Sequence, residues 1–210
     1  MKRKIDSILL SAGKSSRMGK DKALLWITKE RLISHIIRKL LIFSEKIYIV
    51  LGDNFEIVHN IIMNEKFPLG KIEFIYNENH KFGMFSSIQK GINTVSGEYP
   101  FFLHLIDQPF IPLSVYLKII NQFDNYHLIF KPFCIINGEK KSGHPILLSA
   151  KCKKIILQYS YHDNLRDIMK LYLKETKFIK INDNSIFHNI NNPDEFKIRI
   201  KEYEDGNTCI

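Results

Sequence analysis

The feature that most restricts the fold is an alternation of short apolar runs with amphipathic helical patterns. Ile5–Leu10 and Lys46–Leu51 have the length and composition of buried strands. Between them, Arg31–Phe43 places apolar residues at three- and four-residue steps, which predicts a helix with one buried face. The same alternation continues in Asn54–Lys66, Ile72–Tyr76, Met84–Val95, Phe101–Ile106 and a helix from Pro112 to about Phe123. Such an order predicts an α/β fold in which a mostly parallel sheet lies between two layers of helices, a three-layer sandwich.

The second half of the chain has a less regular pattern. His127–Ile136, the turn Asn137-Gly138 and the run Pro145–Leu148 indicate an antiparallel insertion. The elements expected after it are a helix at Asn164–Leu173, strands at Phe178–Ile181 and Phe187–Ile190, and a closing helix at Pro193–Tyr203. Because no linker, repeat or low-complexity block interrupts the chain, we expect a single domain over residues 1–210.

Composition and charge narrow the classes of function. The chain has 210 residues, 45% of them hydrophobic, and carries a net charge of +9, most of it within residues 1–39. Such a basic region attracts nucleic acid, an anionic membrane surface or a small phosphorylated ligand, although a solvated basic face without a partner has the same signature. Three scattered cysteines form neither a disulfide framework nor a four-thiolate zinc site, so we expect a reducing compartment, the cytoplasm. The most apolar stretches fall short of the roughly 20 clean residues of a membrane helix, and we expect no membrane partner.

The segment that directly follows the first strand, residues 9–22, carries the most chemical information. Small residues at positions 11–13 let the backbone approach a ligand, and the N–H groups of such a turn can surround an anion. Arg17 and Lys22 can neutralise phosphates, the first as a planar fork and the second as a point charge. The spacing of Gly13 and Gly19 matches neither a P-loop nor a dinucleotide-binding fingerprint. A flexible basic loop remains the alternative.

Four further segments offer polar groups near predicted strand or helix ends. Asp107 ends an apolar strand on the ligand edge of an open sheet, where it can bind Mg²⁺ or cap a helix. Residues 83–87 open a helix with a glycine and two serines, which can receive phosphate or ribose oxygens or serve as an ordinary N-cap. His144, preceded by Gly143, is by itself more typical of a structural histidine. Asn189 and Asn191 can each supply a neutral oxygen to a metal or cap the last helix.

Together these segments resemble a known family. The run Leu-Ser-Ala-Gly-x-Ser-x-Arg-Met-Gly-x-x-Lys at residues 10–22 is similar to the signature loop of nucleotidyltransferases with a Rossmann-like fold. The motifs Gly-Met-x-x-Ser (83–87), Asp-Gln-Pro (107–109), Gly-His-Pro (143–145) and Asn-x-Asn-Asn-Pro-Asp-Glu (189–195) follow in order. This set resembles the molybdenum-cofactor branch of the family, and within it the cytidylyltransferases.

The resemblance implies a Mg²⁺-dependent transfer of CMP from CTP to molybdopterin, with release of pyrophosphate. It assigns catalytic roles to Arg17, Lys22 and Asp107, and metal contacts to Asp107 and Asn191, with Asn189 the alternative to Asn191. The residues it places at the nucleotide are Leu10, Ser11, Ala12, Gly13, Lys14, Ser15, Ser16, Arg17, Lys22, Gly83, Ser86 and Ser87. The residues it places toward the acceptor are Gly143, His144 and Pro145.

Some residues depart from the family pattern and leave alternatives open. Ala12 favours the cytidylyl side, whereas Ser11 leaves the base open, so GTP is the alternative nucleotide. Phe85 stands where a glycine is common, which predicts a reshaped acceptor or ribose pocket. Sugar or polyol phosphates remain alternative acceptors, and a non-catalytic accessory protein of a molybdoenzyme client is a further alternative. Because residues 12–23 contain no aromatic side chain, we expect no nucleic-acid partner.

Overall fold

A computed structural model of the chain describes residues 3–13 and 18–207. Most strands join one sheet in the order β10-β7-β9-β6-β1-β4-β5, with β8 attached to β7. The strands are β1 Asp6–Ser11, β2 Trp26–Ile27, β3 Glu30–Arg31, β4 Ile47–Leu51, β5 Ile72–Tyr76, β6 Phe101–Leu105, β7 Ile129–Ile136, β8 Glu139–Ser142, β9 Ile146–Leu148 and β10 Thr176–Lys180. The helices are α1 Leu32–Leu41, α2 Phe55–Met63, α3 Met84–Thr94, α4 Leu113–Asn121, α5 Cys152–Ile156, α6 Leu165–Leu171 and α7 Pro193–Asn207.

The pairing of the strands confirms a mostly parallel sheet with an antiparallel insertion. β1 lies between β4 and β6, and both pairs are parallel, as are β4–β5 and β7–β10. β9 runs antiparallel to both of its neighbours, β6 and β7, and β8 forms a hairpin with β7. The insertion therefore lies directly beside the parallel half of the sheet, at β6.

Two hydrophobic cores, one on each face of the sheet, produce the predicted three-layer arrangement. All six residues of β1 are buried. Successive side chains of a strand point to opposite faces, and here Leu9 packs into the core of α1, α2 and α4, whereas Ile8 and Leu10 pack into the core of α3, α5 and α6. The apolar runs predicted as strands are thus buried on both sides, which is why they carry no polar alternation.

Gly91 brings α3 unusually close to the sheet. A Cβ atom at this position would lie 2.6 Å from Cγ2 of Ile8, so no larger residue fits without displacing β1 or α3. This contact holds α3 along β1, and the N-terminal end of α3 therefore reaches the region where β1 ends.

The structure differs from the expected elements in five places. The strand predicted at Phe187–Ile190 is wrong: Asn184–Phe187 forms a short 3-10 turn, which Asp183 caps by accepting a hydrogen bond from the Ser185 N–H. The two-residue hairpin β2–β3, the short helix α5 and strand β8 were not predicted as elements. The last helix continues beyond Tyr203 to Asn207. Within the described ranges, no helix combines the length and apolarity needed to cross a bilayer.

Candidate active site

A cavity of about 370 Å³ opens where β1 and β6 end. We call it the first cavity. Parallel strands that end together at one sheet edge create a crevice of this kind. Its lining residues are Leu10, Ala12, Gly13, Lys22, His80, Lys81, Gly83, Met84, Ser87, Leu105, Ile106 and Asp107.

The backbone after β1 forms one wall of the first cavity. Asn54 secures the end of β1 through its side-chain amide, which donates to the Ser11 carbonyl at 2.9 Å. Gly52 packs beneath this wall, since a Cβ there would lie 3.0 Å from the Ala12 carbonyl oxygen and 2.9 Å from Cγ of His80. Ala12 and Gly13 consequently face the cavity with little side chain between the backbone and a ligand. Ser11 is buried and does not line the cavity.

Lys22 and Asp107 meet at the first cavity although they lie far apart in the chain. Nζ of Lys22 is 3.6 Å from Oδ2 of Asp107. The neighbouring Asp21 fixes the start of the turn that holds Lys22, because its carboxylate accepts a hydrogen bond of 2.8 Å from the Ala23 N–H. Lys14, Ser15, Ser16 and Arg17, which the sequence assigned to the same site, lie outside the described residues.

The environment of Asp107 is that of a partly buried carboxylate with one oxygen still to be satisfied. Burial raises the pKa of Asp107, and the charge of Lys22 opposes this rise. Oδ1 is buried and receives no hydrogen bond from another described residue. A buried carboxylate oxygen without a donor is unfavourable in the unliganded protein. Oδ1 of Asp107 is therefore suited to a cation that arrives with the ligand.

Lys39 holds the loop that follows Asp107. Its Nζ donates to the carbonyl oxygens of Pro109 and Ile111, both at 2.7 Å. Burial lowers the pKa of Lys39 to about 8, and the charge of Glu30 partly opposes the shift. Lys39 was not among the site residues expected from the sequence. Its signal was a cation three residues after Ile36 on the buried face of α1, a position where a lysine needs partners.

The segment before α7 closes on the same loop. The Ile190 N–H donates to the Asp107 carbonyl at 2.8 Å, and the Gln108 amide donates to Oδ1 of Asn189 at 2.6 Å. The oxygen of Asn189 is therefore already engaged. Asn191 follows Ile190 directly, and its N–H donates to the Glu195 carboxylate. The sequence left Asn189 and Asn191 open as metal contacts. Gln108 donates to the side-chain oxygen of Asn189 and not to that of Asn191.

The oxygen donors around Asp107 fit magnesium. No group of three or more His, Cys, Asp or Glu side chains that could hold a metal occurs among residues 3–13 and 18–207. Mg²⁺ commonly needs only one or two carboxylates, because water and substrate phosphates complete its shell. A single carboxylate with an unsatisfied oxygen, next to a lysine and a backbone turn, matches that chemistry better than a closed protein cage.

The serines at the start of α3 have different surroundings. Gly83, with φ of +103°, and Ser87 line the first cavity. The Ser86 hydroxyl instead donates to the carbonyl oxygens of Asn79 and Gly83, at 2.8 and 2.9 Å, and lines a separate cleft. Ser86 thus stabilises the loop before α3. Phe85 is buried in the core of α3 and its side chain lines neither the first cavity nor the one beside it, and the reshaped pocket stays a prediction.

A second cavity of about 290 Å³ adjoins the first and shares Leu10, Met84 and Leu105 with it. Gly143 and His144 line this second cavity, whereas Pro145, which follows a cis peptide bond, does not. Gly143 is required by its contact with the chain before α7, because a Cβ would lie 2.2 Å from the Ile186 carbonyl oxygen.

His144 is held as a neutral ring. Burial lowers the pKa of His144 to about 4, the nearby charge of Lys131 lowers it further, and a hydrogen bond to the Leu103 backbone opposes the shift. Its Nδ1 is buried and has no hydrogen-bond partner among the described residues. At neutral pH this nitrogen is available as an acceptor on the wall of the second cavity.

The chain matches known proteins over most of its length. Residues 7–177 match the family described as MobA-like NTP transferase domain. The molybdenum cofactor cytidylyltransferase of Escherichia coli (strain K12) is 27% identical over 91% of this chain and 93% of its own length.

Solved structures show the same fold. A nucleotidyl transferase from Methanothermobacter thermautotroptrophicus superimposes with a TM-score of 0.77 at 16% identity, covering 96% of this chain and 98% of the other. The 4-diphosphocytidyl-2C-methyl-D-erythritolsynthase of Anaerococcus prevotii DSM 20548 gives 0.76 at 13% identity, over 97% and 100%. The match across residues 7–177 shows that this chain belongs to the MobA-like NTP transferase family and is a nucleotidyltransferase.

Proposed function

We propose that this chain transfers CMP from CTP to molybdopterin, with Mg²⁺ as cofactor and pyrophosphate as the second product. The observation that carries the proposal is the meeting of Lys22 with Asp107 beside the backbone of Ala12 and Gly13. The choice of nucleotide and acceptor rests on the similarity to the E. coli cytidylyltransferase.

The first cavity binds the nucleotide in this proposal. The backbone N–H groups after β1 and the ammonium of Lys22 receive the triphosphate, while Gly83 and Ser87 approach the ribose or base. Arg17 is proposed as a further phosphate contact on the strength of the motif alone. Preorganised donors of this kind stabilise charge that develops in the transition state without reorganising during the reaction.

Asp107 holds the metal, through the carboxylate that carries the unsatisfied Oδ1. Asn191 is the proposed second contact. When bound, Mg²⁺ neutralises the triphosphate and stabilises the departing pyrophosphate. Lys39 keeps the loop after Asp107 in place through its two carbonyl contacts, and Lys22 limits the movement of the carboxylate. A fold relative from Mycobacterium tuberculosis H37Rv, 16% identical, has been solved in complex with manganese.

The second cavity binds the acceptor. Because the two cavities adjoin and share three residues, an acceptor phosphate held in the second cavity can approach the α-phosphorus of a nucleotide in the first. A phosphate oxygen of the acceptor forms the new bond to that phosphorus, and the bond to the pyrophosphate oxygen breaks. Since the attacking oxygen is already anionic, positioning and charge neutralisation are enough and no general base is required. A neutral His144 suits this scheme as a hydrogen-bond acceptor.

The proposal places the reaction in the cytoplasm, with neither nucleic acid nor membrane as a partner. Cys134 and Cys152 are unpaired and buried, as is typical of a reducing compartment. Delivery of the product to a molybdoenzyme client is part of the same proposal.

A matrix of substrates tests this function. The purified chain is incubated with Mg²⁺, each of CTP, GTP, ATP and UTP, and molybdopterin, a sugar phosphate or a polyol phosphate, and pyrophosphate release is measured. We expect turnover with CTP and molybdopterin that depends on Mg²⁺ and is lost in Asp107→Ala. Turnover only with sugar or polyol phosphates would refute the acceptor, and preference for GTP would refute the nucleotide. No turnover with any pair, from a folded chain, would favour the accessory role.

A further inference from the structure

The charges that line the second cavity all have the same sign. Lys131 of β7 and Arg166 of α6 are the two charged side chains among the described residues of its wall, and no carboxylate lines it. The rest of the wall is mainly apolar, with Leu10, Ile88 and Met169 among its members. A cavity that is cationic and otherwise apolar favours a ligand with an anionic group on a flat or apolar body.

Neither cation has an ion-pair partner among residues 3–13 and 18–207, although the charge of Arg166 contributes to lowering the pKa of the adjacent Asp167. In the part of the chain that the structure describes, no ion pair or side-chain hydrogen bond involves Lys131 or Arg166. The other partly buried lysines differ in this respect, since Lys22 contacts Asp107 and Lys177 contacts Asp124. Lys131 is partly buried, whereas Arg166 is exposed. A partly buried charge such as that of Lys131 is ordinarily paired, because desolvation without a partner costs free energy.

The two cations also act on each other and on their surroundings. Burial lowers the pKa of Lys131, and the positive charge of Arg166 lowers it further. The charge of Lys131 also disfavours protonation of His144. The same side of the cavity therefore contains two cations that repel one another and a histidine that stays neutral. An anion placed between the cations would relieve this repulsion.

Local sequence does not account for a lysine at position 131. Its neighbours on either side in β7, Phe130 and Pro132, are buried, and Ile129, on the same face of the strand, packs into the core of α3 and α6. An apolar residue at position 131 would extend that core toward α6. The lysine instead lines the cavity at some cost in burial.

We propose that Lys131 and Arg166 bind the phosphate of the acceptor, and that Nδ1 of His144 accepts a hydrogen bond from an N–H or O–H group of the same molecule. This inference rests on the proposed function and adds to it the residues that select a phosphorylated acceptor. It assigns Lys131 and Arg166 to acceptor binding alone, since neither lines the first cavity.

Three single variants and one double variant test the proposal. Lys131→Met and Arg166→Met remove each cation while retaining an apolar stem, and the double variant removes both. Lys170→Met is the matched control, because Lys170 lies on the same helix, pairs with Asp167 and is exposed outside the cavity. Binding of molybdopterin is measured by calorimetry without nucleotide, and KM for acceptor and for CTP is measured separately.

We expect each cavity variant to weaken molybdopterin binding and raise the acceptor KM by about tenfold or more, the typical value of a hydrogen bond to a charged group. The KM for CTP and the behaviour of Lys170→Met should remain as in the unaltered chain. The melting temperature should stay level or rise in Lys131→Met, since an unpaired cation has been removed from a partly buried position, and should stay level in Arg166→Met, because Arg166 is exposed. A purely structural role would instead lower it.

The possible failures are distinguishable. Unchanged molybdopterin binding in the double variant overturns the inference, whatever the turnover. A rise in the KM for CTP equal to that for the acceptor also overturns it, because the cations would then serve the nucleotide. Binding that depends on both cations without any transfer supports the inference and refutes the proposed function. No binding of molybdopterin to the unaltered chain overturns the inference.

Discussion

The two cavities lie side by side but are built in different ways. The first is formed where the parallel strands β1 and β6 end, and its lining residues lie within residues 10–22, 80–87 and 105–107 of the parallel half. The second is formed by β7 and the start of β9 in the antiparallel insertion, together with α6, so its polar residues come from separate segments. Leu10, Met84 and Leu105 belong to both.

Their electrostatics differ as well. The first cavity contains a cation and a carboxylate in contact, Lys22 and Asp107, which suits a ligand that brings both phosphates and a metal. The second contains only cations, Lys131 and Arg166, which suits an anion without a metal. The proposed division of roles follows this difference, with charge neutralisation during the reaction assigned to the first cavity and selection of the acceptor to the second.

Asp107→Asn should produce the largest effect and should be confined to the first cavity. The change keeps the shape of the side chain but removes the charge that holds a metal. We expect kcat to fall by about a thousandfold, as for the loss of a major electrostatic contributor. Pyrophosphate release measures it, with Asp194→Asn, which is 90% exposed, as control. An equal loss in molybdopterin binding would contradict the division of roles between the cavities.

Lys22→Met should reduce kcat with CTP by roughly a hundredfold, because one preorganised cation at the triphosphate is lost. Lys20→Met is the matched control, two residues earlier in the same basic segment and exposed. Steady-state kinetics over a CTP series separates kcat from KM. A loss of the same size in Lys20→Met would show that general charge, rather than the contact with Asp107, accounts for the effect.

Lys39→Met tests whether the loop behind the first cavity must be tethered. Two buried carbonyl groups lose their donor, so we expect a loss of about 1 to 3 kcal/mol in unfolding free energy and about tenfold in kcat. Lys118→Met on α4, exposed, is the control. Denaturant unfolding and turnover provide the two measurements.

The same variant has a defined pH signature. The pKa of Lys39 is lowered to about 8 from its ordinary value of 10.5, so the unfolded chain binds more protons between these values. This group therefore makes stability rise with pH across that window, and Lys39→Met should lack the contribution. An unchanged difference between the two proteins from pH 8 to 10.5 would show that Lys39 keeps an ordinary pKa.

His144→Gln tests the lowered pKa of a residue of the second cavity, and the quantity measured is stability rather than turnover. Its pKa is lowered to about 4 from 6.5, so the unfolded chain binds more protons in that interval. The unaltered chain should lose stability as pH falls from 6.5 to 4. The variant should lose about 2 to 3 kcal/mol less. Thermal unfolding at a series of pH values measures this, and parallel curves for the two proteins would contradict it.

The smallest expected effects are those of substitutions at the two serines of α3, Ser86 and Ser87. Ser87→Ala removes a hydroxyl from the first cavity and should raise the KM for CTP a few fold. Ser86→Ala should leave that KM unchanged but lower unfolding free energy by about 1 kcal/mol, because the Asn79 and Gly83 carbonyls lose a donor. The reverse result would place Ser86 at the nucleotide, as the motif alone suggests.

The parallel half of the fold could be predicted from the sequence almost to the residue. Ile72–Tyr76 matches β5 without error, because it is a short, mainly apolar run between turns, although β5 lies at the edge of the sheet. Phe187–Ile190 has a similar apolar appearance but bonds to the loop after Asp107 instead of a strand. The hairpin β2–β3 was missed because its strands have two residues each and its turn depends on Thr28 at φ of +51°.

The candidate site could be predicted in part for a related reason. Ala12, Gly13, Lys22 and Asp107 were named because they occur in recognisable motifs next to predicted strands, and the structure places all four around one cavity. Lys39, Lys131 and Arg166 belong to no such motif. Their significance depends on the carbonyl groups or cations that face them from other elements.

The amino-acid sequence by itself determined which segments become buried strands, where the backbone is left bare of side chains, and that the chain is a nucleotidyltransferase. Apolar runs and turn residues act through neighbours that are close in the chain, so the local sequence pattern shows them directly. Only the tertiary structure decided that Asn189 is engaged by Gln108, that Ser86 stabilises a loop, and that Lys131 meets Arg166. These contacts depend on strand register and on the packing of layers, which join residues that no local pattern relates.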